Sequence, residues 1–169
     1  MKTLIATLIA TLPLFASTAE HDHASCPMHA AHMAARGDSA AGMGFSQEKT
    51  RHTFRLCADG GAIEVRANDA ADAESVAAIR DHLRTIARSF AAGDFSRPAH
   101  IHDGLPDGAE IMKERRASIA YRYEKLERGG RVRIATTDAA ALAAVHRFLR
   151  FQIEEHQTGD GKEVGEGCR

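Results

Sequence analysis

The chain has 169 residues, with 22 lysines and arginines against 23 aspartates and glutamates and a formal net charge of −1. That near-balance gives no electrostatic ground for a nucleic-acid partner, whose phosphates select strongly basic surfaces. Hydrophobic residues make up 44% and charged residues 27%, which excludes a wholly disordered or membrane-embedded chain and points to one domain with a core.

Residues 1–19 read as a secretory signal. Lys2 supplies the positive start, Leu4 to Ala16 is apolar, and Ser17-Thr18-Ala19 offers small residues for cleavage before Glu20. The apolar run falls short of the ~20 residues that cross a bilayer. The reading is a periplasmic or secreted protein with no membrane contact after cleavage.

Residues 20–44 form a predicted flexible arm and linker. Between His21 and Met33 stand His21, His23, Cys26, Met28, His29, His32 and Met33, with Ala and Pro filling most gaps. Imidazole, thiolate and thioether are the donors that hold copper or zinc, and this stretch has little apolar bulk to bury for any other purpose. From Ala34 to Gly44 the composition turns to Ala, Gly, Ser and Asp, which predicts a linker. The bland alternative is a solvated tail.

Residues 45–157 carry the predicted domain. His52, Phe54 and Leu56 alternate with Thr53, Arg55 and Cys57, the period of a half-buried strand. Asp59-Gly60-Gly61 predicts a tight hairpin with positive φ angles, and Ile63 and Val65 return facing inward. Val76, Ile79, Leu83, Ile86 and Phe90 recur at helical spacing, with Asp69 or Asp72 as cap and Gly93 as stop. Pro98 to Pro106 reads as a loop or short extended piece, and Asp107 to Arg116 as a helical turn. Ile119, Tyr121 and Tyr123 then predict a strand facing inward, Arg128-Gly129-Gly130 a turn, and Val132 and Ile134 a returning strand. Asp138 caps a helix buried through Leu142, Val145, Leu149 and Ile153. Residues 158–169, rich in Gly and Glu, predict a disordered tail.

The two halves match each other in order. Gly60 to Asp69 aligns with Gly129 to Asp138, and Val76 to Arg84 aligns with Leu142 to Arg150. The expected fold is therefore α+β: a duplicated ββα-ββα unit giving a four-stranded antiparallel sheet with two helices on one face, preceded by the arm. The other sheet face would carry Arg55, Arg66, Arg122 and Arg133 with Glu64 and Glu124, either solvated or offered to another periplasmic protein.

Met43-Gly44-Phe45, the Lys49 to Leu56 block, Gly60 to Val65, and Phe148 to Ile153 with His156 and Thr158-Gly159-Asp160 resemble a family of small, mostly uncharacterised bacterial proteins. Relatives tend to show two adjacent histidines where this chain has His52-Thr53. Some carry an aspartate carbamoyltransferase label, which this chain does not fit: it is too short and lacks the Ser-Thr-Arg-Thr-Arg carbamoyl-phosphate loop. Separately, Cys26-Pro27-Met28-His29 looks like the core of the heavy-metal-binding modules attached to copper transporters, without their preceding aromatic.

A second candidate metal site is His100-Ile101-His102-Asp103. In an extended chain His100 and His102 project to one side, Asp103 can orient a ring, and His52 can join them. His82, His146 and His156 read as boundary or surface histidines on helices. Cys57 should face outward, able to reach a redox partner or Cys168. Three cysteines leave one thiol over whichever pair forms. Catalysis finds little support, since no nucleophile elbow, phosphate-binding glycine loop or HExxH motif is present.

The functional expectation is a protein that sequesters or hands over copper or zinc through the arm. The alternatives are an interaction module using the arginine-rich face and a small metalloenzyme with a His52/His100/His102 site.

Overall fold

Alternating apolar and polar residues pair into two antiparallel hairpins, β1 (Thr50–Cys57) with β2 (Gly60–Ala67) and β3 (Ile119–Leu126) with β4 (Gly129–Thr136). The computed structural model describes residues 43–168. The predicted signal, the candidate arm donors His21, His23, Cys26, Met28, His29, His32 and Met33, and the last residue lie outside them. The hairpins join through their second strands, giving the sheet order β1-β2-β4-β3 with every neighbour antiparallel. This is the expected four-stranded α+β arrangement.

The glycine pairs do a different job from the one expected of them. Cys57 pairs with Gly60 and Leu126 with Gly129, so the turns are Ala58-Asp59 and Glu127-Arg128, and each Gly-Gly opens the following strand. They serve close approach. A Cβ at Gly61 would collide with the Leu149 side chain, and one at Gly130 would press on Tyr123 and Leu83.

Helix α1 (Ala73–Ala91) starts where the Asp72 carboxylate accepts the Ser75 N–H at 2.9 Å. Its predicted stripe of Val76, Ile79, Leu83, Ile86 and Phe90 is buried, each residue contributing about 1.5–3 kcal/mol over exposure. Short helices α2 (Ser96–Ile101) and α3 (Ala109–Glu114) follow. Pro98 to Ile101 is thus helical where a loop or short extended piece was expected, while His102 to Pro106 is loop. Pro98 lies in the first turn of α2, where a missing N–H costs nothing. Helix α4 (Ala139–Glu155) is capped by Asp138, which accepts the Ala141 N–H at 2.8 Å. Val145, Leu149 and Ile153 are buried as expected, with Phe148 and Gln152, while Leu142 is only half-buried.

Each helix covers mainly the other half's hairpin: α1 packs chiefly on β3 and β4, and α4 chiefly on β1 and β2. Leu83 of α1 accordingly lies at Gly130, and Leu149 of α4 at Gly61. None of the described helices is long and apolar enough to cross a membrane.

The expected disordered tail is instead laid along the free edge of β1. The Asp160 carboxylate accepts the Phe54 N–H at 2.8 Å and the Thr158 hydroxyl at 2.7 Å. Gly165 donates to the Leu56 carbonyl at 2.9 Å and accepts from Ala58 at 3.1 Å. Cys168 closes the strap with a disulfide to Cys57, Cα to Cα 5.6 Å. An edge strand has unspent N–H and C=O groups, and these polar residues satisfy them without needing apolar bulk. The predicted linker also ends early, since Met43 is buried in the core beside Phe45, the expected first residue of the domain.

Candidate functional site

Between the helices and the sheet lies a cavity of about 60 Å³. Ile63, Val65, Leu83, Ile86 and Phe148 form its apolar floor, and Met43, Arg97 and Gln152 also line it. Four histidines from four parts of the chain face it: His52 of β1, His82 of α1, His102 just past α2, and His156 at the end of α4.

His156 is the hub. Its ring centre is 5.2 Å from that of His52, the planes 20° from parallel, and 5.3 Å from that of His102, the planes at 83°. Phe54 lies 5.5 Å from His156, and Phe45 meets His82 edge-on at 5.4 Å. The His102 side chain is 4% exposed. Its Nε2 is 3.3 Å from the Gln152 amide oxygen and its Nδ1 is 3.6 Å from the Glu155 carboxylate. Among the described residues, His82 Nδ1 and Gln152 Nε2 are buried without a hydrogen-bond partner.

Burial governs the charge of this cluster. It lowers the His52 imidazole from 6.5 to about 4. It does the same to His82, with Arg97 and His52 adding smaller pushes in that direction. Both rings are neutral at pH 7 and keep a lone pair for a hydrogen or an ion.

Of the second predicted metal set, His52 and His102 come to the same cavity and His100 does not. His100 is exposed on α2. Helical backbone turns residues two apart to different faces, so the shared side that an extended chain would give is lost. Asp103, the expected orienter, is exposed at a positive φ of 53°, and Glu155 stands beside His102 in its place. Among the described residues no group of three His, Cys, Asp or Glu side chains is placed as a ready-made metal shell.

Two histidines read as surface residues belong to the site. His82 is one position off the buried stripe, and His156 follows the last helical residue, where the chain folds back toward β1. The available signal was His156 standing just after the Phe148 to Ile153 run. His146 does other work, with its Nε2 at 2.9 Å from the Cys57 carbonyl and 3.0 Å from that of Gly60, clamping the first turn.

The opposite sheet face holds an ion network. Glu64, 2% exposed, accepts from Arg131 at 2.7 Å and from Arg66 at 3.1 Å, with Arg55 at 3.8 Å. Burial pushes its carboxyl up, but the guanidinium contacts outweigh that and hold it below the usual range. Arg131 also meets Glu124, and Arg133 meets Asp59.

Comparison of the chain with known protein families, curated proteins and solved structures finds no match.

Proposed function

We propose that this is an exported metal-handling protein whose N-terminal donors capture copper or zinc, to sequester the ion or pass it on. The observation that carries the reading is the Cys57–Cys168 bond. It consumes two of the three cysteines, which leaves Cys26, among four histidines and two methionines, as the thiol available to an ion. A disulfide also suits an oxidising compartment, in keeping with the signal-like start. Capture is by chelation, and affinity falls with pH as the imidazoles protonate.

The matching order of the two halves, together with their reciprocal packing, supports reading the domain as a duplicated unit that carries the arm. The interaction-module reading is weaker, because Arg55, Arg66, Arg131 and Arg133 spend their charge on Glu64, Glu124 and Asp59. Zn(II) and Cu(II) titrated into the full mature chain, and into a variant with the arm's His21, His23, His29 and His32 changed to Ala and Cys26 to Ser, test the proposal. The variant should lose the bound divalent ion. Equal uptake by both chains defeats it.

A further inference from the structure

We infer that the histidine cavity is itself a Cu(I) site, in which His52, His102 and His156 supply nitrogen and Met43 supplies sulfur. This goes beyond the arm and does not depend on it.

The spacing of the rings is the first ground. An ion about 2 Å from each ring nitrogen brings the imidazole centres to roughly 5 Å of one another. His156 stands 5.2 Å from His52 and 5.3 Å from His102. The His102 and His156 planes, at 83°, already allow two nitrogens to converge. The nearly parallel His52 and His156 rings must reorient before their nitrogens can share an ion. Among the described residues these rings do not stand as a finished metal shell.

The orienting partner is the second ground. Metal-bearing imidazoles commonly give their far nitrogen to a carboxylate. His102 has Glu155 at Nδ1, which turns Nε2 toward the cavity side, where Gln152 now meets it. On loading, the ion takes the place of Gln152 at Nε2.

The lining selects the ion. Among the described residues no carboxylate lines the cavity, while Arg97 does. A divalent ion would bring two uncompensated charges onto an apolar floor beside a guanidinium, at a high desolvation cost. Cu(I) brings one charge, accepts two or three ligands, and favours thioether with neutral imidazole. Met43, 5% exposed, is the thioether on that wall.

The test uses the full chain with the arm donors His21, His23, His29 and His32 changed to Ala, Cys26 to Ser, and Met28 and Met33 to Leu. It is titrated anaerobically with Cu(I) against the chelator bicinchoninate, and with Ag(I) while imidazole resonances are followed by NMR. The expected result is one Cu(I) retained per chain, with the His52, His102 and His156 signals moving and the His146 signal still. Met43→Leu should weaken retention about tenfold at unchanged circular dichroism. Failure of the arm-free chain to retain Cu(I), or static signals from all three histidines, overturns the site and leaves the arm proposal standing. Conversely, arm-free retention of Cu(I) with unaltered Zn(II) uptake defeats the arm and supports the cavity.

Discussion

Cys168 reaches back across 111 residues to bond Cys57 at the end of β1, so the last turn of chain is fastened to the first strand of the domain. Between the bond and α4, Lys162 meets Glu154 at 2.6 Å and its carbonyl accepts from Arg150 at 3.1 Å. The strap is thus held along its length and not only at its tip.

Breaking that bond should cost stability through the unfolded chain. A closed loop of this length is worth about 5 kcal/mol, less whatever the pinned tail retains by hydrogen bonding. Urea unfolding of Cys57→Ser with Cys168→Ser should show an extrapolated unfolding free energy lower by that amount. Alkylation of the unreduced full chain, read by mass, should label one thiol, Cys26. Labelling of three would show the bond absent.

Protonation should unfold the metal-free domain from the cavity outward. His52 and His82 titrate near 4 when folded, against an ordinary value of 6.5. As pH falls, the unfolded chain binds protons first. Stability is therefore full above about 6.5, declines between about 6.5 and 4, and levels off below as far as these groups are concerned. Denaturation series at pH 7.5, 5.5 and 4.5 should show a loss on the order of a few kcal/mol. His82→Phe should flatten the slope, and an unchanged slope would remove His82 from the account.

Glu64→Gln should destabilise by about 2 kcal/mol. The amide leaves Arg131 and Arg66 facing one another without their shared counter-charge, on a face too covered for full solvation. Restoration by Arg131→Met in the same chain, measured as a double-mutant cycle, would show that the penalty lies in the stranded guanidinium.

Gly108→Ala should cost about 3 kcal/mol. Gly108 sits at φ 83°, where a Cβ is strained, and the added carbon would strike the Ala144 carbonyl of α4. Thermal melting reads the loss. A neutral outcome would mean that α3 can shift away from α4.

Much of the framework was legible in the chain. Strand and helix periods named Phe54, Ile63, Ile79, Leu83, Val132 and Leu149 as core, and all are buried. The capping aspartates Asp72 and Asp138 marked both long helices. What local pattern cannot carry is long-range pairing. His156 looks like a helix-end residue until the backbone brings β1 within reach, and Asp160 looks like a loop acid until Phe54 offers an N–H 106 residues away. His100 and His102 misled for a local reason: their joint use assumed extended backbone, and Ser96–Ile101 is helical.

The reciprocal cover of the two hairpins has a consequence for how the molecule is made. When residues up to α1 have been synthesised, that helix lacks most of the surface it closes upon, because its main seat on β3 and β4 does not yet exist. The domain cannot be secured in instalments. It should assemble late and all at once, and two separately produced halves should each stay loose yet knit together on mixing.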